Sequence, residues 1–388
     1  MAIAFWSAGI ATYAQSSTVI KEGNAAPALQ KIRDFVIYKD SLFHCAFPSV
    51  VRKKDGSYLL AFRRAPERRV LGERVTTHVD PNSYLMQLTS KDGLHWPAVP
   101  SLLYAHPFGG SQDPCLLQLR NGTLLCASYG WSFPNAEALA RLKTPYFKAA
   151  NAVFLGGYLL RSADNGHTWS APIYPPTVPE EVHYSPYGNK LPAYNRGALY
   201  EGRNGTIYWV VAATDDFVSK KTSNYLLTSN DGGKSWAYQS VVAKDPRISF
   251  NETSIYETPK GDLVAFMRTA NAGDTACIAR SKDGGKTFQW EPMGFMGHPL
   301  QALRLPDNRV LVTYGYRHAP HGIRARVLNA ECTDFKTAKE LIIRADATST
   351  DIGYPWAIML DRRRILVVYY YNINNGSRSI EGTLLEYR

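Results

Sequence analysis

Six times along the chain one short pattern returns: VRKKDGSYLLAF (51–62), LQLRNGTLLCASYG (117–130), YEGRNGTIYWVVAAT (200–214), YETPKGDLVAFMRT (256–269), LRLPDNRVLVTYGY (303–316) and MLDRRRILVVYYY (359–371). Each reads as a short strand, a tight turn usually carrying Gly or Asn where positive φ is needed, and a hydrophobic, β-branched strand. Similar hairpins at intervals of roughly 50 to 80 residues point to radial repetition rather than to one continuous sheet.

A second repeat is interleaved with the first. SADNGHTW (162–169), SNDGGKSW (229–236) and SKDGGKTF (281–288) share Ser-x-Asp-x-Gly-x-Thr/Ser-aromatic, SKDGLHW (90–96) is one residue shorter, and LNAECTDF (328–335) reads as an eroded copy. The chemistry suits a turn staple: the Asp carboxylate caps backbone N–H groups, Gly takes the strained position and the aromatic ring packs beneath. Alternating the two motifs predicts an all-β fold, a six-bladed β-propeller of four-stranded antiparallel blades. An N-terminal strand near Asp34–Tyr38 is expected to close the last blade against GTLLEYR, making 34–388 one propeller and 1–33 a leader and extension. The long connections 130–160 and 172–195 are expected to form the rim of a site or an oligomer contact.

Composition narrows the partners. The net charge of +11 favours anionic ones. The longest basic run, Arg362–Arg364, falls on a hairpin turn, so nucleic acid is not expected. No run of 18 apolar residues predicts a membrane span. The start, MAIAFWSAGIATYAQSS, is apolar to about Ala14 without a basic segment before it, and is read as the end of an export signal that places the protein in the periplasm or outside the cell, with the cytoplasm as the alternative if the segment is not a signal. The five cysteines (Cys45, Cys115, Cys126, Cys277, Cys332) have no metal-type spacing and read as buried thiols. The histidines His78, His298, His318 and His321 match no standard ligand set, so neither metal nor cofactor is expected. The Asn-x-Ser/Thr matches at Asn121, Asn204, Asn251 and Asn375 mostly read as turn chemistry.

In a propeller the innermost strand of each blade lines a central well, so the residues just before each hairpin are the ones that meet a ligand. They are Ala46–Ser49, Gln112–Asp113, Asn195–Arg196, Asn251–Glu252, His298–Gln301 and Asp351–Tyr354, with Arg268 and Arg317 ending partner strands. Carboxylates, a tyrosine and cations converging on one well suit glycosidase chemistry on an anionic glycan.

From about residue 34 to the end the chain resembles the sialidase (neuraminidase) superfamily, whose turn repeats are called Asp boxes. NETSIYETPKGDLVAFMR matches the family's Asn-Glu-x-Ser with an Arg one hairpin later, which implies Glu252 as base and Arg268 as substrate ligand. DIGYPWAIML matches the tyrosine that opens the last blade, which implies Tyr354 as nucleophile. TTHVDPNSYLMQLTS offers Asp80 as the acid on the loop before the first Asp box, with His78 beside it. A neutral Tyr deprotonated by Glu avoids the repulsion that a carboxylate nucleophile would meet at a sugar carrying its own carboxylate.

The resemblance breaks at one triplet. The family opens blade one with Arg-Ile-Pro, the first of three arginines that hold the substrate carboxylate; here the triplet is Ala46-Phe47-Pro48. Losing one charge-assisted pair should weaken sialic acid binding about tenfold or more. For the third arginine YGYRHAPHGIRAR offers Arg317 and Arg324, and Arg196, Arg63 or Arg64 stand as replacements for the first; Asp113 and His78 complete the substrate-binding candidates. The expected activity is exo-cleavage of a terminal acidic or deoxy sugar. The alternatives are a lyase or a uronide- or rhamnoside-specific glycosidase in the same well, or a non-catalytic glycan-binding propeller. Glu252–Arg268 also reads as a structural ion pair, Tyr354 as a core ring and Asp80 as a turn cap.

Overall fold

A computed structural model describes residues 29–73, 78–142, 146–149, 152–374 and 376–387. The apolar N-terminal stretch and Asn375 lie outside the described residues. Six four-stranded antiparallel sheets form the blades of a propeller. Their inner strands are Phe43–Arg52, Gly110–Gln118, Tyr200–Glu201, Phe250–Glu257, Leu300–Arg304 and Gly353–Met359. Each pairs with the second strand of its predicted hairpin. No helix among the described residues is long and apolar enough to cross a membrane.

Closure follows the expected route and extends it. The strand Leu29–Tyr38 pairs with Ser379–Tyr387 and becomes the outer strand of blade six. Arg344 on the outer strand of blade five reaches Asp346 at 2.7 Å, Glu381 at 3.0 Å and Asp34 at 3.5 Å, and so ties the closing strand to the neighbouring blade. Blade two departs from the simple alternation. Its outer strand is Lys148–Ala149, supplied by the insertion after Leu124–Ser132, and it pairs with Ala152–Ser162 ahead of the Asp box.

The Asp boxes are turn staples. In the box at 281–288, Asp283 Oδ1 accepts the N–H groups of Lys286 and Thr287 at 3.0 Å each, and Ser281 Oγ accepts that of Gly285 at 2.8 Å. The box at 229–236 repeats these contacts, and that at 162–169 does so except that the His167 N–H goes to the Asp164 carbonyl. The glycine also sets how blades approach. A Cβ on Gly285 would lie 2.6 Å from Leu226 of the preceding blade, and one on Gly233 would lie 2.9 Å from Leu125. All five cysteines are free and buried; Cys115 and Cys126 sit diagonally, paired with Ala127 and Leu116.

Candidate active site

The well is shaped by four β-bulges in inner strands, between Ala46 and Ser49, Gln112 and Cys115, Phe250 and Thr253, and Gly353 and Trp356. Three of them hold a non-glycine residue at positive φ: Phe47 (57°), Asp113 (39°) and Tyr354 (54°). Each is followed by a proline, Pro48, Pro114 and Pro355, which has no N–H to give the ladder and so favours a break in pairing there. A bulge re-aims the side chain it carries. Left-handed backbone at such residues costs of order 1–3 kcal/mol each and persists where surrounding packing holds it. Blades one, two and six thus each aim one side chain by the same device.

Tyr354 Oη donates to Glu252 Oε1 across the well. Arg268 Nη1 donates to Glu252 Oε2 at 2.5 Å and to Tyr354 Oη at 3.3 Å, which completes a triangle of phenol, carboxylate and guanidinium. Arg317 closes the other flank: its guanidinium lies 5.5 Å from the Tyr354 ring centroid, Nη2 donates to Tyr370 Oη at 3.0 Å, and Nε reaches the Ile352 carbonyl at 3.1 Å. Blade five comes this close because Gly315 meets blade six without a side chain; a Cβ there would lie 3.2 Å from Gly353 Cα and 2.7 Å from the His298 carbonyl. The Phe47 ring stacks edge-on against Tyr354 (4.7 Å), Tyr370 (5.2 Å) and His78 (5.3 Å).

The electrostatics divide roles. Burial, reinforced by the Glu252 charge, holds the Tyr354 phenol well above its usual range, so it is neutral in the empty site. Burial pushes Glu252 up, but Arg268 and the Tyr354 hydroxyl outweigh it and keep the carboxyl below its usual range, hence ionised. The pair is a protonated nucleophile donating to a charged base, held by a cation that touches both.

Of the predicted site residues, Tyr354, Glu252, Arg268 and Arg317 meet. Arg324 does not join them; it is buried and donates to the carbonyls of Arg344 and Pro320. Asp80 is buried, with Oδ2 taken by Arg68 Nε at 2.7 Å and Oδ1 by Arg68 Nη2 at 2.9 Å and the Asn82 N–H at 2.8 Å. His78 is exposed and faces Phe47. Arg196 is fully buried and serves as a strut: Nη2 donates to the Pro48 and Tyr354 carbonyls at 3.1 and 3.4 Å, and its guanidinium lies 5.1 and 5.2 Å from the Tyr354 and Trp356 rings. Arg64 stacks 4.2 Å over Phe43 and donates to Tyr38 Oη at 3.2 Å, in the direction of the closing strand.

Arg63 instead stands opposite Ala46. Its guanidinium lies 6.0 Å from the Phe47 ring, and the charges of Asp80, Asp113 and Asp351 act on it. The cation missing from the inner strand is thus present on the second strand, under Phe47. Another cluster that reading by motif passed over lies beside Phe47: Asp351 accepts from Tyr370 Oη at 3.0 Å and pairs with Arg378 at 2.8 Å and His44 at 3.2 Å. The residue-before-proline repeated in three inner strands marked the bulges at Phe47, Asp113 and Tyr354, but nothing local marked Arg63, His44 or Arg378 as their neighbours.

Asp113 gives a stability prediction. Its Oδ2 accepts from Tyr129 Oη at 2.7 Å, while Oδ1 is buried without a hydrogen-bond partner. Burial, then the Glu252 charge, pushes it up to about 7. The folded value is raised, so folding is favoured while Asp113 is protonated, and that contribution is lost as pH rises from about 4 through about 7. Asp113→Asn should therefore gain stability over the parent on going from pH 4 to pH 8. Denaturant melts at the two pH values check this; an unchanged difference would place the raised titration elsewhere.

The match to known proteins agrees with the propeller fold. Residues 147–367, more than half of the chain, match the BNR repeat-like domain model. A sialidase of Bacteroides fragilis (strain YCH46) is 30% identical over 202 residues, 52% of this chain and 31% of that protein, so the match spans about a third of the relative's length. Among solved structures, a protein of unknown function from Dyadobacter fermentans DSM 18053 is 62% identical with a TM-score of 0.92, covering 93% of this chain and 100% of that one. The Hadza microbial sialidase Hz136 superposes with a TM-score of 0.62 at 17% identity, over 88% of this chain and 65% of its own. The Trypanosoma rangeli sialidase does so with a TM-score of 0.62 at 13% identity, over 93% and 60%. These last two likenesses carry the fold alone. The chain belongs to the BNR repeat-like family and is a six-bladed propeller of the sialidase type.

Proposed function

We propose that the protein is an exo-acting glycoside hydrolase that releases a terminal acidic sugar with retention of configuration. The observation that carries this is the Tyr354–Glu252–Arg268 triangle beside Arg317. Two guanidiniums flank the phenol, so a carboxylate on the sugar ring would be drawn to the anomeric side of the well. Tyr354 meets it uncharged and avoids the repulsion that a carboxylate nucleophile would feel. As the phenol oxygen bonds to the anomeric carbon its proton passes to Glu252, whose carboxylate is neutralised, while Arg268 holds both groups in line. Water then enters on the face the aglycone left, opposite Tyr354, and displaces it, and the two successive inversions give retention.

Ala46 bears on which acid is accepted. With Arg63 beneath Phe47, the wall that Phe47 and Tyr370 build beside Tyr354 is aromatic. This suits a sugar that presents a deoxy carbon or other C–H face there. The test is a screen of terminal sialosides, uronides and rhamnosides read by product mass and by NMR of the first-formed anomer. The expected result is one free acidic sugar with retained configuration. A product lighter by one water and absorbing in the ultraviolet would make the protein a lyase; retention of glycan with no product would make it a binding module.

A further inference from the structure

A retaining step needs a proton for the departing oxygen, and Asp80, the acid implied by the resemblance, has both oxygens engaged by Arg68 and is buried. A different pair stands at the rim between blades four and five. Asp274 lies in the turn between the strands Leu263–Thr269 and Thr275–Ser281, at φ 60°, with its carbonyl accepting the Gly297 N–H at 2.9 Å. Its carboxylate bridges two imidazoles: His298 Nδ1 lies 3.2 Å from Oδ1 and His318 Nε2 lies 3.2 Å from Oδ2.

The two rings differ in access. The His298 side chain is 3% exposed, whereas that of His318 is 38% exposed. Burial, then the charges of Arg268 and Arg317, push His298 far below its usual range and keep it neutral. His318 directly follows Arg317, whose guanidinium covers the Tyr354 ring, and its own ring rests 5.5 Å from Tyr316. The groups facing it are therefore Asp274 from blade four, His298 from the bend that leads into the inner strand of blade five, and Tyr316 and Arg317 from its own strand end. Tyr354 Oη points to blade four, toward Glu252 and Arg268, so the reacting carbon lies on this side of the well. A group leaving in line with attack departs toward the mouth, where the His318 ring is half-buried and partly open. His78, an exposed histidine at the mouth, makes no ion pair to a carboxylate among the described residues; its ring packs on Phe47.

We propose that His318, oriented by Asp274, is the proton donor to the leaving oxygen, in place of Asp80. The step rests on the glycosidase reading above. The imidazolium pairs through Nε2 with Asp274 Oδ2 at 3.2 Å, which leaves Nδ1–H as the proton it can give. As Tyr354 oxygen bonds to the anomeric carbon and its proton passes to Glu252, the bond to the aglycone oxygen breaks and that oxygen takes the Nδ1 proton. Neutral His318 then takes a proton from the attacking water, and the departing Tyr354 recovers its own from Glu252. Asp274 is a positioning residue that fixes which nitrogen faces the substrate.

The experiment compares 4-nitrophenyl and methyl glycosides of the acidic sugar identified by the screen, because a phenol of low pKa leaves without help and methanol does not. His318→Gln should lose activity on the methyl glycoside on the order of hundredfold or more, within the range of general acid catalysis, while the 4-nitrophenyl glycoside falls by no more than a few-fold. Asp274→Asn should shift the same ratio in the same direction. Added imidazole should restore part of the methyl glycoside turnover in His318→Gly. Equal losses of His318→Gln on both glycosides, with a melting temperature like the parent's, would overturn the assignment. So would an Asp80→Asn variant that is selectively slow on the methyl glycoside. A parent enzyme that cleaves neither overturns the glycosidase reading itself, which is a distinguishable result.

Discussion

Tyr354→Phe is expected to abolish turnover while leaving the propeller folded and still able to hold an acidic ligand. The phenol is buried and hydrogen-bonded to Glu252, with Arg268 3.3 Å from the same oxygen, so the substitution removes one atom at the point where three groups meet. Loss of the nucleophile of a covalent mechanism costs on the order of 10⁴-fold or more in kcat, with the remainder supplied by binding and electrostatics. Binding should persist because Arg268 and Arg317 remain. The fold should weaken modestly: Glu252 Oε1 loses its buried donor, about 1–3 kcal/mol for a stranded polar group. Phe occupies the same volume between Phe47 and Arg196 and leaves no cavity. Single-turnover assays with a fluorinated analogue of the released sugar would show a covalent adduct on Tyr354 in the parent and none in the variant. Activity within tenfold of the parent would remove Tyr354 from the chemistry and leave it as a core ring.

The blades were legible because a propeller repeats its local rules. Every hairpin carries its own turn chemistry, and every Asp box caps itself within a few residues. Glu252, Arg268 and Tyr354 were legible for a related reason, since each sits at a fixed offset from a hairpin. What failed to read depends on bulges and on the packing between blades. From Val51 to Ser49 the register with the second strand would carry Ala46 to Arg64; the bulge at Phe47–Pro48 moves the partner by one residue, to Arg63. With the side-chain period of two, that slip decides which guanidinium lies beneath Phe47 and which stacks on Phe43. Arg196 precedes an inner strand as the ligand candidates do, yet the narrow axis turns it under the floor, where carbonyls of blades one and six take its donors. Arg68 is twelve residues from Asp80 along a connection with no periodicity, so nothing local announces that pair. The choice between Arg317 and Arg324 rests on where the strand Val310–Tyr316 ends: Arg317 leaves the ladder and turns into the well, while Arg324 stays within the next strand, Gly322–Leu328.

Glu252→Gln should reduce kcat about 10²- to 10⁴-fold, the range for removing a general base, with a smaller change in KM. The amide preserves shape and its oxygen still accepts from Tyr354, so the phenol stays in place but has no base to take its proton. The consequence differs from that of Tyr354→Phe in two ways. First, Arg268 loses a charged partner at 2.5 Å and is left with the Tyr354 hydroxyl alone in a buried setting. Breaking such a pair costs about 3–5 kcal/mol, so this variant should melt lower than Tyr354→Phe. Second, the freed guanidinium is available to the ligand, so an anionic ligand should bind at least as tightly as to the parent and restore much of the lost stability by mass action. The pH dependence follows from the same contact. In the parent Glu252 is held ionised below the usual carboxylate range, so its contribution to folding is present above about pH 4.5 and is lost as pH falls through its lowered folded value. Glu252→Gln should remove that acid-side loss and narrow the gap to the parent as pH falls. Melts at pH 4 and pH 7 with and without ligand, set beside kcat, would separate a base from a strut: a variant that melts low but turns over normally makes Glu252 a structural counter-ion, whereas slow turnover at preserved ligand affinity makes it the group that receives the Tyr354 proton.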